Sequence, residues 1–206
     1  MVKIIEIKHI RSFCCIILNT GSQYWIRETD LCQSGFCEES EYDLQDFLQK
    51  ITMIQYPRAL NHSVSLLARR PHSTKELFSK LIRLRYTEDV ADLVICKLEK
   101  EKLLNDKEFC DQWIRFRLSC HYGTSLIRRE LRIKGISDDM FSACLEDLNP
   151  DEELDNAVSL ARKAWKRAGR DGNLFQSRRK VIASLLRKGY DLDTAKSACD
   201  AAKDIK

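Results

Sequence analysis

The fold of this chain is decided by the stretch Ser73–Leu98, which reads STKELFSKLIRLRYTEDVADLVICKL. Its apolar pattern returns in Gly123–Leu148, GTSLIRRELRIKGISDDMFSACLEDL, and in Ser177–Ala202, SRRKVIASLLRKGYDLDTAKSACDAA. Within each copy the pattern has a spacing of four residues, then five across a break, then four again. This spacing is typical of two consecutive helices that each keep one apolar side. The repetition predicts a chain built from similar helical modules.

Six positions coincide when the copies are aligned at offsets of 50 and 54 residues. They are Leu77, Leu81, Tyr86, Val90, Val94 and Leu98 in the first copy, Ile127, Leu131, Ile136, Met140, Cys144 and Leu148 in the second, and Val181, Leu185, Tyr190, Thr194, Ala198 and Ala202 in the third. Another apolar-periodic stretch precedes each copy, so the repeating unit is a helix triplet. We predict a mainly α-helical protein of three tandem three-helix repeats forming an elongated arch, which presents a long surface rather than a pocket.

The first part of the chain has a different pattern. Val2–Arg11, Phe13–Leu18 and Gln23–Ile26 are typical of strands, and Asn19–Ser22 between the last two has the composition of a hairpin turn. The residues from Ser40 to Asp43 have the form of a helix start, and Gly35 is expected to end a short helical piece before it. We therefore predict a small N-terminal region of a β-hairpin and a helix.

Boundary residues divide the chain into four predicted parts. Residues 1–56 form the strand-rich extension, and the three helix triplets cover residues 57–104, 105–149 and 150–206. The first helix of the first triplet is expected from about Arg58 to Ala68. Ser73 and Glu76 make a capping box at the next helix, and Gly135 and Gly189 are placed to end the middle helices of the later triplets.

Composition excludes several classes of protein. The chain has 206 residues, 44% of them apolar and 32% charged, and no apolar run is long enough to cross a bilayer. The N-terminus lacks the pattern of a secretory signal, so we expect a cytoplasmic protein that does not bind a membrane. No nucleotide-binding or hydrolase motif occurs, which predicts a non-enzyme without a cofactor.

Nine cysteines could indicate disulfides or a metal site. The odd number favours reduced thiols, and Cys96, Cys144 and Cys199 fall at or beside repeat positions, where a thiol acts as a small apolar group. Cys14 and Cys15 with two later cysteines could supply four zinc ligands, but their spacing is not that of a zinc site. We expect no metal.

The positive charge is concentrated on the middle helix of each triplet. The N-terminal 56 residues hold 5 basic and 8 acidic side chains, whereas the rest of the chain holds 30 and 23. A set of basic side chains that recurs in three repeats could form a stripe suited to a nucleic-acid backbone or a nucleoprotein surface. The alternative is an ordinary solvated face in each repeat. The candidate binding residues are Arg69, Arg70, Lys75, Lys80, Arg83, Arg128, Arg129, Arg132, Lys134, Arg178, Arg179, Lys180, Arg187 and Lys188.

Few other side chains are candidates for a site. Phe109 and Trp113 are expected in the core, because base stacking needs an exposed ring. Trp165 is flanked by basic residues and is the more plausible anchor for a contact. His72 is expected to act in a turn or a cap rather than as a base.

Several of these segments resemble one family when read in order. Arg70-Pro71-His72-Ser73 with Glu76-Leu77, then Leu104-Asn105-Asp106 with Phe109 and Trp113, then Arg128-x-Glu130-Leu131 with Lys134-Gly135-Ile136, resemble the RecX family of regulators of the recombinase RecA. Two positions depart from the family pattern: Arg85-Tyr86 stands where the family tends to have a glycine before an aromatic residue, and His121-Tyr122-Gly123 keeps one glycine of a usually glycine-richer turn.

The resemblance implies a bacterial protein that binds along the groove of the RecA–DNA filament and inhibits ATP hydrolysis and strand exchange. It also implies RecA and its nucleoprotein filament as partners, with weaker binding to single- and double-stranded DNA. We expect a monomer. The alternative is direct DNA binding, because helix-turn-helix proteins are also built from such triplets.

Overall fold

The computed structural model describes residues 1–146, 150–168 and 173–203, without the side chains of residues 150–152. The chain forms two compact units, Met1–Asn105 and Asp106–Lys206. The first unit contains β1 (Val2–Ile10), β2 (Phe13–Leu18), β3 (Gln23–Arg27), α1 (Glu28–Ser34), β4 (Glu41–Tyr42), α2 (Leu44–Leu67), α3 (Thr74–Arg83) and α4 (Glu88–Lys100). The second unit contains α5 (Asp106–Ser119), α6 (Thr124–Ile133), α7 (Asp138–Glu146), α8 (Pro150–Ala168), α9 (Leu174–Arg187) and α10 (Leu192–Ala201).

The strands form one antiparallel sheet in the order β3-β2-β1-β4. The first three strands, the turn after β2 and the end of α1 at Gly35 confirm the prediction. Ile4, Ile16 and Leu18 of the sheet are fully buried against Phe47 and Ile51 of α2. An isolated hairpin is only marginally stable in water, and α2 supplies the apolar surface that the sheet needs.

The helix start predicted at Ser40 is wrong. The Ser40 carbonyl accepts a hydrogen bond from the Ile4 N–H at 3.0 Å, which keeps this segment beside β1 and leads into β4. Asp43 is the N-cap of α2 instead, because its carboxylate accepts from the Gln45 N–H at 2.8 Å.

The helix boundary predicted near Pro57 is also wrong. Helix α2 runs for 24 residues with Pro57 inside it. A proline inside a helix costs about 3 kcal/mol, because it removes a backbone donor and crowds the preceding turn. Burial on both sides of Pro57 offsets this cost: Phe47 and Ile51 pack in the sheet core, and Ala59 packs in the core of the first triplet. One helix therefore serves two cores, and the domain boundary at this point stays a prediction.

The side chains at the repeat positions form the cores of the triplets, as predicted. All of the first copy except half-buried Tyr86 is fully buried. In the later copies Met140 and Thr194 are half-buried, and Leu148 lies outside the described residues. The buried members are Ile127, Leu131, Ile136 and Cys144 in the second triplet and Val181, Leu185, Tyr190, Ala198 and Ala202 in the third.

The five-residue step in the repeat has a structural cause at the end of each middle helix. The N–H of Tyr86 donates to the carbonyl of Leu81 at 3.2 Å, that of Ile136 to Leu131 at 3.0 Å, and that of Tyr190 to Leu185 at 3.3 Å. This backward bond defines a Schellman motif, in which the two bonded residues also meet through apolar side chains. The spacing in the sequence is thus the spacing of this helix end.

A Schellman motif requires one residue in the left-handed conformation, and the first triplet uses an arginine there. The φ angle is 72° at Arg85, 90° at Gly135 and 88° at Gly189. A side chain at such a position costs about 1 kcal/mol or more. The Arg85 guanidinium lies 4.3 Å from the ring centre of Trp25 in β3, a cation–π contact that offsets part of this strain.

Replacing Arg85 should separate the strain from the cation–π interaction. Arg85→Ala keeps the left-handed backbone and removes the guanidinium from Trp25, whereas Arg85→Gly also removes the guanidinium but relieves the strain. We expect the glycine variant to be more stable than the alanine variant by about 1 kcal/mol, as measured by urea denaturation followed by far-ultraviolet circular dichroism. Equal stability of the two variants would show that the backbone at Arg85 carries no strain.

Candidate nucleic-acid interface

The first group of candidate cations lies on α3 and on the connection before it. Arg69, Arg70, Lys75 and Arg83 are exposed, and Lys80 is half-buried. The Arg70 guanidinium donates to the Glu76 carboxylate at 3.1 Å, so one of these charges is partly neutralised by the same helix.

The second group lies on α6 and at its end. Arg128, Arg129 and Arg132 are exposed and Lys134 is half-buried. Arg128 lies 4.9 Å from the ring centre of Phe141, Lys134 lies 4.1 Å from that of Trp113, and Arg132 forms a salt bridge with Asp138. Arg129 forms no salt bridge with any described residue.

The third group lies on α9 and at its end. Arg178 is held by Asp200: its Nε donates to Oδ1 at 3.1 Å and its Nη2 to Oδ2 at 2.8 Å. These hydrogen bonds lower the pKa of Asp200 and raise the pKa of Arg178, so both groups stay charged and Arg178 is occupied. Arg179, Lys180 and Arg187 are exposed, and Lys188 is half-buried with its ammonium 4.1 Å from the ring centre of Tyr122.

The basic groups share a helix of the repeat but not the same positions on it. At the offset of 54 residues, Arg128, Arg129 and Arg132 fall on Ile182, Ala183 and Leu186 of α9. The cations of α6 and α9 therefore project from different parts of equivalent helices. Each triplet has its own charge pattern on a common scaffold.

One part of the surface does bring several cations together. A cleft of about 520 Å³ lies between α8 and α9. Lys180, Arg187 and Lys188 line one side of it, and Lys163 and Arg167 line the other. The two α8 residues were not among the candidates. Their spacing of four residues places them on one helix face and could have indicated this.

The second and third triplets are joined at a tight backbone junction. The Gly123 N–H donates to the Lys188 carbonyl at 2.9 Å, and the Ser125 N–H donates to the Gly189 carbonyl at 3.1 Å. Glu153 of α8 accepts from the Thr124 N–H at 2.9 Å. The first donors of α6 are thus satisfied by the third triplet, which meets the need of every helix start for capping groups.

Aromatic side chains line this junction rather than a binding surface. Tyr122 lies between the Arg117 guanidinium, 3.8 Å from its ring centre, and Lys188. Glu130 accepts from Trp113 Nε1 at 3.1 Å and forms a salt bridge with Arg117. The expectation that Phe109 and Trp113 belong to the core is confirmed, since Phe109 is buried and Trp113 packs half-buried beside it.

The interpretation of Trp165 as a contact anchor is wrong. Trp165 packs against the core of the third triplet, and its Nε1 donates to the Cys199 carbonyl at 3.0 Å. The indole faces inward while the basic residues next to it face outward. Sequence proximity to charge therefore misplaced the ring.

His72 lies in the connection before α3, as expected for a turn residue. It is 3% exposed, its Nδ1 lies 2.9 Å from the Arg70 carbonyl, and burial lowers the pKa of its imidazole. The imidazole is therefore neutral near pH 7, and its Nδ1–H donates to the carbonyl.

The cysteines are dispersed over the described part of the chain. Cys144 and Cys199 are buried as predicted, whereas Cys96 is exposed, so its expected place beside the core is wrong. Within the described ranges no cluster of three or more histidine, cysteine or acidic side chains is placed to hold a metal ion. Nor does any described helix combine the length and apolar character needed to span a bilayer.

Comparison with known proteins identifies each triplet. Family models match the first RecX three-helix domain at residues 59–98, the second at 105–145 and the third at 151–199. The regulatory protein RecX of Mycolicibacterium smegmatis is 33% identical over 142 residues, which are 67% of this chain and 76% of that protein. The regulatory protein RecX of Clostridium perfringens is 26% identical over 166 residues, 80% of this chain and 78% of that protein.

Solved structures agree with the sequence comparison. A crystal structure of a regulatory protein RecX aligns with a TM-score of 0.66 at 22% identity and covers 99% of this chain and 100% of its own. The crystal structure of RecX from Lactobacillus salivarius gives the same TM-score of 0.66 at 26% identity, covering 73% of this chain and 97% of its own. With three matching domains in the family order and a one-third identical relative, this chain belongs to the RecX family of regulatory proteins.

Proposed function

We propose that this protein binds the RecA–DNA filament and inhibits RecA ATP hydrolysis, strand exchange and filament growth. The observation that carries the proposal is the tandem order of three RecX domains, each with a basic middle helix. In this role the protein acts in the cytoplasm during DNA repair, homologous recombination and the SOS response. It works as a monomer by occupying a surface, without an enzymatic reaction, cofactor or membrane contact of its own.

The proposed contact residues are the exposed cations of α3, α6 and α9. Arg129 and Arg179 are the most informative, since neither forms a salt bridge with a described residue, whereas Arg178 is held by Asp200. Exposed charges at the rim of an interface act mainly on the association rate and on the salt dependence of binding. Single- and double-stranded DNA are expected to bind as weaker partners through the same kind of charge.

The test is ATP hydrolysis by the cognate RecA on single-stranded DNA, measured as this protein is added. We expect inhibition at well below one molecule per RecA subunit, because a bound molecule also blocks filament growth. Reversing Arg129 and Arg179 to glutamate should raise the half-inhibiting concentration by about tenfold or more, equivalent to about 1.4 kcal/mol.

The matched control is Lys107→Glu with Arg115→Glu. Both control residues lie on α5, outside the middle helices, and the change in net charge is the same. Equal weakening by both double variants would assign the effect to net charge alone. Absence of inhibition by the folded wild-type protein at equimolar amounts would contradict the proposal and favour direct DNA binding as the function.

A further inference from the structure

The cleft between α8 and α9 differs from the rest of the basic surface in how its charges are arranged. Its described lining residues include five cations and no carboxylate: Lys163, Arg167, Lys180, Arg187 and Lys188. Elsewhere on the middle helices, acidic residues pair with the basic ones, as Glu76 does with Arg70, Asp138 with Arg132 and Asp200 with Arg178. Like charges gathered in one concave site repel one another, and a bound polyanion relieves that repulsion.

The floor of the cleft is small and apolar, which leaves room for a ligand between the charged walls. Leu160, Ala164 and Ala168 of α8 face Ser184 of α9 across it. Its volume of about 520 Å³ is in the range of sites that bind small molecules or parts of a polymer. Charged side chains project from both helices, so the site suits a strand that lies along the cleft between them.

The same surface continues along α9 towards its first turn. A second concavity, lined by Gln176, Arg179, Lys180 and Ala183, shares Lys180 with the cleft. Positions three and four residues apart lie on one face of a helix, so these residues continue the line of Arg187. From Phe175 to Lys188 the helix rises by about 20 Å, at ~1.5 Å per residue, which is enough for several nucleotides.

An exposed aromatic ring stands at the far end of this line. Phe175 is 71% exposed, and Leu174 beside it is 59% exposed. Arg179 follows Phe175 by four residues, so the ring and the guanidinium are neighbours on the helix surface. A strand-tracking basic groove with an exposed ring beside it is the combination that binds single-stranded nucleic acid, whereas an acidic protein surface would make no use of the ring.

We propose that the cleft between α8 and α9 binds the sugar–phosphate backbone of single-stranded nucleic acid and that Phe175 stacks on one of its bases. Lys163, Arg167 and Arg187 contact phosphates, with Lys180 and Arg179 continuing the path towards Phe175. Lys188 already packs on Tyr122, and its charge adds to the field of the cleft. This binding belongs to the third triplet and requires no recombinase.

The experiment measures fluorescence anisotropy of a labelled oligothymidine with the full-length protein, in the absence of RecA, over a range of salt concentrations. Reversing Arg167 and Arg187 to glutamate should weaken binding by about tenfold or more. It should also lower the slope of log affinity against log salt by roughly 0.7 for each phosphate that the protein no longer neutralises. Phe175→Ala should weaken binding by about 5- to 150-fold with the salt slope unchanged, because stacking releases no counterions.

Two comparisons protect the result from loss of folding and from net charge. Arg167→Gln with Arg187→Gln removes the charges without adding acid at the end of α9, and circular dichroism reports the helical content of every variant. Lys107→Glu with Arg115→Glu changes the net charge equally outside the cleft and should leave binding within about twofold of wild type.

Three outcomes would overturn the proposal. They are unchanged affinity in the folded glutamine variant, equal weakening by the control on α5, and displacement of the oligonucleotide by polyglutamate as readily as by unlabelled oligothymidine. The last would assign the cleft to an acidic protein. Because the assay contains no RecA, these outcomes are independent of whether the protein inhibits the recombinase.

Discussion

Gly189→Ala should unfold the second compact unit or weaken it severely. A Cβ at this position would overlap the Leu126 side chain and lie 2.7 Å from the Leu126 nitrogen, and the backbone φ of 88° is unfavourable for any side chain. The overlap and the left-handed backbone together should cost about 2–5 kcal/mol. Native domains are stable by only about 5–15 kcal/mol, so a decrease of this size is easily measured by urea denaturation.

Two other glycines separate the two causes. Gly123 has an ordinary φ of −78°, but a Cβ there would overlap the backbone of Gly189, so Gly123→Ala tests overlap alone. Gly21 has a φ of 82° with nothing near its Cβ position, so Gly21→Ala tests the backbone alone and should cost about 1 kcal/mol. If Gly189→Ala cost no more than Gly21→Ala, the close approach of the two triplets would be refuted.

Leu131→Ala and Leu81→Ala should each lower the free energy of unfolding by on the order of 2–5 kcal/mol. Both leucines are 0% exposed, and each occupies the same repeat position just before the end of a middle helix. Truncation removes the apolar packing that accompanies the Schellman bond and leaves a cavity in a small core.

The matched control for Leu131 lies on the same helix. Ile133 is 71% exposed, and Ile133→Ala should change stability by less than about 0.5 kcal/mol. Thermal unfolding followed by circular dichroism compares the pair. Midpoints that do not differ between Leu131→Ala and Ile133→Ala would mean that the repeat alignment identifies the wrong core.

The repeat could be predicted from the sequence because its period is fixed by backbone geometry. The step from Leu81 to Tyr86, from Leu131 to Ile136 and from Leu185 to Tyr190 is the length of one hydrogen-bonded helix end. Local rules also placed the caps at Ser73 and Thr87, whose hydroxyl groups accept from Glu76 N–H and Val90 N–H.

The errors have one common cause, which is long-range packing. Pro57 stays inside α2 because two separate cores bury the helix on either side of it. Trp165 turns inward because the carbonyl of Cys199, distant in sequence, accepts its hydrogen bond. No local pattern encodes either partner.

The candidate site was predicted only in part for a related reason. Charge density along the sequence indicated α9, but a cleft has two walls, and its second wall lies on α8. Only the packing of the two helices shows that Lys163 and Arg167 stand opposite Arg187. The pairing of Arg178 with Asp200 likewise depends on where α10 lies.

The shared helix end has a consequence for how the three copies could diverge after duplication. The turn is set by backbone hydrogen bonds and by two buried side chains, so it places no demand on the outward-facing residues of the middle helix. Each copy could therefore acquire its own surface chemistry while the module still folds. Arg85 in place of the glycine in the other two copies, and cations at non-equivalent positions of α6 and α9, are the record of that independence.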